Sequence, residues 1–396
     1  MKFIMTPETQ RFILEHSLDD VRQLALQSAR FPQIDMALAL RQITGRQKVK
    51  LKIPLFYNHP DILYPKQLSL EQSSSESTAK YKSSCCEGGS FADLTGGFGI
   101  DCYFISRNYA QASYVERNTE LCEIARHNFD ILGAENIRVF NRQSEDFLKE
   151  MSPVDLIYLD PARRNQAGNK VVLLSDCEPN VAELLPLLLT KAENVLIKLS
   201  PMLYITLALK DLPNTKEIHI ISVDNECKEI LFLIHGKVGQ KIMIKTVNLL
   251  KNKANQIFNF EEQEEKRAQV DYTSELLQYL YEPNSSVMKS GAFNLVAERF
   301  GLKKLHKNTH LYTSNELMPD FPGRIFLIES VCGSTKHEIK NLRLNTPQAN
   351  ITVRNYPLTV NEFRKRTGIR DGGELYIFAC KLVNDVNAIV QCKKIQ

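Results

Sequence analysis

An apolar run in the middle of the chain ends in residues that could perform chemistry. Residues 154–164 read VDLIYLDPARR, so a segment typical of a buried strand stops at Asp160 and Pro161. The Asp160 carboxylate and the Pro161 carbonyl can each accept a hydrogen from one amine. An amine held in this way would point its lone pair at an electrophile for in-line displacement. The sequence therefore predicts a site that aligns a nucleophile at this strand end.

Two arginines lie just beyond this pair. Arg163 and Arg164 could clamp a phosphate or stack through their guanidinium planes, a use for which arginine is better suited than lysine. They could also be ordinary surface charges that pair with Asp176 or Glu178. The sequence leaves both interpretations open.

A second group of candidate residues surrounds a glycine-rich turn. The stretch SFADLTGGFGID places Asp93 and Thr95 at a strand end, followed by Gly97 and Gly99 before a helix. Glycines let the backbone approach a ligand closely, and a helix N-terminus favours an acidic group such as a carboxylate. A G-x-G pattern by itself is often only a tight turn.

Two later residues extend this pattern. Glu116 ends the second apolar run, SYVERN, where a carboxylate can accept hydrogen bonds from both ribose hydroxyls of a nucleoside. Gln143 follows the third run, where an amide could pair with an adenine edge. A dinucleotide-binding Rossmann unit would also place an acid near this distance, but Cys102 stands where its third glycine is expected.

The elements that must position these residues follow an alternating pattern. From Ser90 onward, short apolar runs alternate with helical segments, which predicts an α/β fold with a mostly parallel, doubly wound sheet. The last two runs flank VDNECK without room for a crossover helix. We therefore expect the sixth and seventh strands to form an antiparallel hairpin, which is foreign to the dinucleotide-binding fold.

The segments on either side of this core have other patterns. Apolar spacing of three and four behind Thr6 and Ser17 predicts short N-terminal helices capped by those residues. EQSSSESTAKYKSS could be a serine linker or a ligand-facing helix. The Asn/Gln/Glu-rich stretch after His235 predicts a surface loop or an edge hairpin, and strand and helix alternate again near the end.

Length and composition restrict the class of protein. The chain has 396 residues, which predicts two to four domains, and 43% hydrophobic with 24% charged residues is typical of a globular protein. No apolar run approaches the length of a membrane span, and the N-terminus does not resemble a secretory signal. The nine cysteines form no C-x-x-C pair, so we expect neither a zinc site nor disulfides, and a cytoplasmic location.

Positive charge is concentrated near the C-terminus. Residues 284–396 contain 17 Lys and Arg against 9 Asp and Glu, a net charge of +8, whereas the whole chain carries +4. Arg354 and the run FRKRTG, with Arg364, Lys365 and Arg366, could neutralise phosphates of a nucleic acid. Such a run is often only a solvated helix face.

The order D-x-T-x-G-x-G, then a glutamate, then D-P at strand four resembles class I S-adenosylmethionine-dependent methyltransferases. The whole chain is similar to the bacterial members that carry a ferredoxin-like insert and a C-terminal THUMP-like domain. The matching stretches include SLEQSSSESTAKYK, DLTGGFGID, LDPARR, KLSP, YEPNSSVMKSGAF, FPGR and RNYPLTVNEFRKRTGI.

This resemblance implies a Rossmann-like methyltransferase sheet and four domains. They are an N-terminal helical domain (1–80), the methyltransferase domain (81–240), a ferredoxin-like domain (241–325) and a THUMP-like domain (326–396). It also implies S-adenosylmethionine as the cofactor, no metal, and an RNA substrate such as tRNA or rRNA, because THUMP domains bind RNA. It says nothing about the oligomeric state.

The resemblance also implies roles for individual residues. The residues expected at the cofactor are Glu71, Gln72, Asp93, Thr95, Gly97, Gly99, Glu116, Gln143 and Asp160. Those expected at the transfer step are Asp160, Pro161 and Arg163. Those expected at the RNA are Arg163, Arg164, Lys198, Arg354, Arg364, Lys365 and Arg366.

The chain departs from related patterns at two positions. Many nucleic-acid amino-methylating members carry Asp/Asn-Pro-Pro-aromatic at strand four, and here Ala162 and Arg163 replace the second proline and the ring. RNA uracil-C5 methyltransferases place a cysteine just after strand five, where this chain has Ser200. We therefore predict methylation of a base amine by direct transfer. The alternatives are a protein or small-molecule methyltransferase, and an RNA-binding protein without activity.

Overall fold

The structure is a computed structural model that describes residues 5–163, 174–236 and 241–395. The chain forms two compact units. The first unit comprises Met1–Glu217 and Ile230–Gln240, and the second comprises Ile218–Glu229 and Lys241–Gln396.

Short helices form the N-terminal part of the first unit. They are α1 (Pro7–Glu15), α2 (Val21–Leu26), a 3-10 turn (Ser28–Arg30), α3 (Met36–Lys52), α4 (Pro54–Tyr57), α5 (Gln67–Gln72) and α6 (Glu76–Ser83). Phe12, Ile13, Leu24, Ala39 and Ile43 form a core shared by α1, α2 and α3.

The N-terminal caps agree with the sequence at one of two positions. Thr6 caps α1 as predicted, because its hydroxyl accepts the Thr9 N–H. The prediction that Ser17 caps the next helix is wrong. Asp20 caps it instead, since its carboxylate accepts the N–H groups of Arg22 and Gln23.

A sheet with flanking helices follows. Its elements belong to the first unit except for residues 218–229 of its last two strands, which belong to the second. Its elements are β1 (Gly88–Asp93), α7 (Ile100–Ser106), β2 (Tyr109–Glu116), α8 (Thr119–Ile131), β3 (Ile137–Asn141), α9 (Ser144–Glu150), β4 (Val154–Leu159), β5 (Ala162–Arg163), a 3-10 turn (Leu174–Asp176), β6 (Cys177–Glu178), α10 (Val181–Lys191), β7 (Ala192–Leu199), α11 (Ile205–Asp211), β8 (Thr215–Val223) and β9 (Glu226–His235).

The strand order reverses at one position within this sheet, and we call the space beyond the carboxyl ends of the strands there the crevice. The order β9-β7-β4-β1-β2-β3 is parallel from β7 to β3, and β9 runs antiparallel to β7. Because β1 pairs with both β2 and β4, the order of the strands reverses there. Ligands of open α/β sheets bind at such a reversal, beyond the carboxyl ends of the strands.

The predicted hairpin of the sixth and seventh apolar runs is confirmed. β8 and β9 are hydrogen-bonded neighbours joined at Asp224 and Asn225, which both have positive φ angles. Asp and Asn tolerate this left-handed backbone, so two residues suffice to reverse the chain.

The second unit contains the remaining elements. They are β10 (Met243–Leu249), β11 (Gln256–Glu261), α12 (Glu262–Arg267), β12 (Tyr279–Pro283), α13 (Ser285–Ser290), α14 (Leu295–Arg299), β13 (Lys303–Lys304), β14 (Tyr312–Ser314), β15 (Gly323–Cys332), α15 (Lys336–Asn345), β16 (Asn350–Arg354), α16 (Val360–Thr367), β17 (Leu375–Lys381) and β18 (Asn387–Lys394).

Most strands of the second unit form one sheet with the order β13-β14-β12-β15-β18-β17-β16. One of its cores includes Leu280, Phe326, Phe378 and Val390, and the other packs α15 and α16 on the sheet through Leu342 and Phe363. β10 and β11 form an antiparallel edge hairpin, one of the two forms predicted for the Asn/Gln/Glu-rich stretch. The predicted α/β class is confirmed.

Candidate functional site

The glycine-rich turn connects β1 to α7 at the strand reversal. Gly97 and Gly99 have φ angles of 55° and 86°, a region that favours glycine. A Cβ on Gly96 would lie 2.2 Å from the Tyr114 ring, and one on Gly99 would lie 2.9 Å from the Phe129 ring. The Tyr114 hydroxyl donates to the Gly97 carbonyl at 2.5 Å. The Tyr114 and Phe129 rings therefore pack tightly against one side of the turn. The glycines themselves add no side chains to it.

Glu116 joins this turn to the end of β2. Its Oε2 accepts the Gly97 N–H at 3.0 Å, and its Oε1 accepts the Asn118 N–H at 2.8 Å. The carboxylate is only partly buried. It therefore orients both loops and remains within reach of a ligand at the crevice.

Asp93 and Thr95 connect β1 to the end of β4. The buried Asp93 carboxylate accepts the Thr95 N–H at 2.9 Å, and the Thr95 hydroxyl accepts the Asp160 N–H at 2.6 Å. Burial raises the pKa of Asp93 well above its usual value, the Thr95 N–H opposes this rise, and the nearby Asp101, Asp160 and Glu116 add to it. Several carboxylates thus lie close together at the crevice.

Asp160 is paired with a lysine from the next strand. Lys198, near the end of β7, donates through Nζ to Asp160 Oδ2 at 2.6 Å. The Asp160 side chain is 36% exposed and that of Lys198 is 13% exposed. The sequence analysis expected Lys198 at the RNA and did not predict its pairing with Asp160, because the pairing of β4 with β7 that brings the two side chains together is a tertiary feature.

The two arginines after Pro161 are only partly described. Pro161 is buried, and the backbone of Arg163 pairs with Cys177 in the small β5–β6 ladder. Arg164 lies outside the described residues. Glu178, one of the acids considered as a surface partner, forms an ion pair with Arg117 at 2.7 Å.

A buried polar network lies next to the turn, and the sequence analysis missed it. Asp101 Oδ2 accepts hydrogen bonds from the hydroxyls of Ser74 and Tyr158, each at 2.7 Å. The Lys82 ammonium lies 3.2 Å from Asp101 Oδ1, and the Lys82 side chain is fully buried. Burial raises the pKa of Asp101. The charges of Lys82 and Lys198, together with the hydrogen bonds from Ser74 and Tyr158, lower this pKa by more, so the net shift is downward.

The segment EQSSSESTAKYK spans the end of α5 and most of α6, so it is not a linker. Ser75 caps α6, and Ser74 and Lys82 on either side of this cap point into the core. Glu71 and Gln72, the residues selected from this motif, are exposed, and Glu71 pairs with Lys48 at 2.5 Å. Lys82 follows the buried Thr78 and Ala79 by four and three positions, so helical spacing places it on their inward face of α6. This spacing is the sequence signal that could have identified the network.

Gln143 lies at the carboxyl end of β3 as expected. It is exposed and precedes α9, whose first residue, Ser144, donates to the Leu94 carbonyl at 2.5 Å. This bond ties the start of α9 to the turn after β1. The structure therefore brings Asp93, Thr95, Gly97, Gly99, Glu116 and Asp160 into one connected site, with Gln143 at its neighbouring strand end.

A known structure matches nearly the whole chain. It is the crystal structure of a protein from Porphyromonas gingivalis W83 that is assigned as a methyltransferase, with 33% sequence identity and a TM-score of 0.88. The match covers 98% of this chain and 98% of that chain. The chain belongs to this methyltransferase family. The expected methyltransferase is thereby confirmed at the level of the family.

Sequence profiles match three segments of this methyltransferase. "Conserved hypothetical protein 95" matches residues 79–178, a ferredoxin-like domain matches 279–322, and a THUMP domain-like profile matches 323–394. The expected family, with a ferredoxin-like and a THUMP-like segment, is confirmed. No curated protein matches the chain.

Other solved structures resemble only part of the methyltransferase. One is an rRNA methylase from Streptococcus thermophilus, with 12% identity over 41% of this chain and 95% of that chain and a TM-score of 0.29. Another is TrmK of M. capricolum in complex with S-adenosyl-homocysteine, with 14% identity over 45% of this chain and 71% of that chain and a TM-score of 0.32. Similarity at this level supports no functional conclusion.

Four of the seven basic residues expected at the RNA, Arg354, Arg364, Lys365 and Arg366, lie in the second unit. Arg354 ends β16 and pairs with Glu282 at 2.9 Å. Arg364 pairs with Asp371, and Arg366 donates to the Ser334 carbonyl at 3.3 Å. Lys365 is exposed on α16.

The described residues contain neither a candidate metal site nor a candidate membrane span. Within them, no group of three His, Cys, Asp or Glu side chains could hold a metal ion. In the same parts of the methyltransferase, every helix is too short or too polar to cross a membrane.

Proposed function

We propose that this methyltransferase uses S-adenosylmethionine to methylate a base amine of RNA. The observation that supports the proposal is a set of hydrogen bonds that connects three strand ends. They are the glycine turn after β1, Glu116 at the end of β2, and Asp160 with Pro161 after β4. Cofactor recognition and nucleophile alignment would thus share one crevice at the reversal of the sheet.

The residues of the turn fit the proposed cofactor. Gly97 and Gly99 leave a cradle that a Cβ would narrow or strain, and the Glu116 carboxylate can exchange its backbone partners for ribose hydroxyls. Asp93 and Thr95 would hold the turn in place, and Gln143 would reach the adenine edge. S-adenosylmethionine supplies a methyl group activated by its sulfonium, so the residues of this chain need only bind and align.

Asp160 and Pro161 would align the amine. Lys198 occupies Oδ2 of Asp160, and among the described residues Oδ1 has no hydrogen-bond partner, so Oδ1 and the Pro161 carbonyl can accept the two amine hydrogens. The lone pair of the amine then faces away from both acceptors. After transfer, Oδ1 can accept the proton that the amine must lose.

The THUMP-like match supports RNA as the substrate class, and so does the +8 charge of residues 284–396. Arg163 and Arg164 are proposed contacts of the RNA near the transfer site.

The proposed domains are residues 1–80, 81–240, 241–325 and 326–396. The cytoplasm is the proposed location, because all nine cysteines are free thiols.

Mass analysis of nucleosides tests this function directly. RNA from cells with and without the protein should differ in one methylated nucleoside, and its identity names both the base and the atom. RNA with identical nucleosides in both samples, together with methylation of a protein or small molecule, would assign the activity to the alternative substrates.

Replacing Glu116 with alanine should weaken S-adenosyl-homocysteine binding at least tenfold, about 1.4 kcal/mol. The variant removes the acceptor for ribose and also releases the Gly97 N–H. Glu135→Ala, which removes an exposed carboxylate of the same unit, is the matched control. Titration calorimetry measures both. Equal affinities of wild type and Glu116→Ala would refute the assignment of the cofactor crevice.

Replacing Lys198 with methionine should lower kcat about tenfold or more and leave S-adenosyl-homocysteine affinity within about twofold. The reason is that Lys198 fixes the rotamer of Asp160 through one oxygen. Lys198→Arg, which can still donate to Oδ2, should retain most of the activity. Lys210→Met, an exposed position on α11, is the control for charge loss. A loss seen only in KM would mean that Lys198 contacts substrate instead.

A further inference from the structure

Three sequence motifs of the second unit meet in one ion-pair triad. Glu282 of YEPN, Arg324 of FPGR and Arg354 of RNYP come from three different strands, β12, β15 and β16. Arg324 donates to Glu282 Oε2 through Nε at 2.7 Å and also through Nη2, and Arg354 Nη2 donates to Oε1 at 2.9 Å. One carboxylate thus orients two guanidinium groups.

The triad is unbalanced in charge. The Glu282 side chain is 3% exposed, whereas those of Arg324 and Arg354 are 28% and 34% exposed. Two guanidiniums against one carboxylate leave one net positive charge at a partly accessible position. A buried ionic triad can often be replaced by apolar residues without loss of stability, so stability alone does not account for this arrangement.

Unused donors remain on both arginines. Within the described residues, Nη1 of Arg324 and Nη1 of Arg354 have no hydrogen-bond acceptor, and the buried Nε of Arg354 has none. The Arg324 guanidinium lies over the rings of Phe326 and Tyr376, at 5.5 and 5.8 Å from their centroids. Both guanidinium groups are therefore fixed by contacts within the protein, and each keeps an Nη1 donor that a ligand can use.

Further cations lie near Arg324. The pKa of Lys394 is lowered by partial burial first, and then by the charges of Arg324 and Lys253. Lys253 is exposed in the loop between β10 and β11. Lys394, which pairs with Phe326 of β15 in the sheet, thus interacts through charge with Arg324 and with Lys253.

The arginines of helix α16, by contrast, form hydrogen bonds and an ion pair within the protein. Arg364 pairs with Asp371 and donates to the Ala349 and Ile369 carbonyls, and Arg366 donates to the Ser334 carbonyl. These bonds connect the helix to adjacent loops. Lys365 and Arg366 are both exposed, and of the three basic residues predicted there only Lys365 has no such bond in the described part of the chain.

We propose that the triad Glu282–Arg324–Arg354, with Lys253 and Lys394 at its rim, is a binding site for backbone phosphate of the RNA substrate. Guanidinium groups bind phosphate oxygens through paired donors, and Glu282 holds both groups in place before the ligand arrives. This inference rests on the proposed function, since it assigns the RNA contact of the second unit to the triad and not to α16.

Salt dependence of RNA binding tests the proposal. The probes are unfractionated tRNA and a fluorescein-labelled oligouridylate, with anisotropy measured between about 50 and 200 mM salt. Each lost phosphate contact should reduce the slope of log affinity against log salt by about 0.7 to 0.9. Arg324→Met, Arg354→Met and Lys253→Met should each show this reduction, whereas Lys365→Met should keep the wild-type slope.

Controls separate binding from folding and from the proposed function. Thermal unfolding and S-adenosyl-homocysteine affinity, both unchanged, establish that a variant is folded. If either arginine variant fails to fold, exposed Lys253 still tests the site, since it has no ion pair in the described residues. Wild-type slopes in these variants with a reduced slope in Lys365→Met would overturn the proposal and leave an RNA substrate in place. Absence of RNA binding by the wild type would instead contradict the RNA part of the proposed function.

Discussion

Replacing Asp160 with alanine should reduce methyl transfer by about a thousandfold or more, about 4 kcal/mol of transition-state stabilisation. The variant removes the carboxylate oxygen proposed to align the amine and leaves Lys198 without its partner. The bond from the Asp160 N–H to Thr95 belongs to the backbone and should persist, so the turn should keep its shape. Affinity for S-adenosyl-homocysteine and for RNA should therefore change by less than about threefold.

Two further variants sharpen this result. Asp160→Asn keeps a carbonyl oxygen but loses the ion pair, so its activity should lie between those of wild type and Asp160→Ala. Asp130→Ala removes an exposed carboxylate from α8 and should be as active as wild type. Full turnover by Asp160→Ala would show that Asp160 does not align the amine and that the residues of LDPARR are not catalytic.

Replacing Lys82 with methionine should destabilise the protein by about 3 to 5 kcal/mol, because it leaves the Asp101 carboxylate buried without its counter-charge. Chemical denaturation followed by circular dichroism measures the free energy of unfolding. The double variant Lys82→Met/Asp101→Asn should lose much less than the sum of the two single variants, since it removes both charges. Additive losses would show that the two side chains do not stabilise one another.

The same pair gives a pH dependence of stability with a definite sign. The folded-state pKa of Asp101 lies below its usual value, because the lysine charges and the hydrogen bonds from Ser74 and Tyr158 together outweigh burial. The stabilisation is then fully present above the unfolded-state pKa of about 3.9 and is lost as pH falls through the lower folded-state pKa. Acid unfolding of Asp101→Asn should show a weaker dependence on pH in this range than that of the wild type. Identical curves would contradict the assigned shift.

The sequence determined the order of the elements in the first unit. Apolar runs of five to ten residues separated by helical periodicity predict strands and crossover helices locally, and β1 to β4 and β7 to β9 follow the seven predicted runs. The two-residue strands β5 and β6 were not predicted. Positions that depend on backbone conformation were also predictable. Gly97 and Gly99 need left-handed φ angles, and Asp224 with Asn225 allow a two-residue hairpin turn.

Tertiary structure alone decided which side chains meet. Lys198 pairs with Asp160 because β7 lies beside β4, and Ser74 and Lys82 reach Asp101 because α6 packs on α7. In the second unit, Glu282 meets Arg354 across 72 positions of sequence. Hydrophobic periodicity specifies which face of an element is buried, but a buried charge is stable only beside its partner, and that partner is chosen by packing between elements distant in sequence.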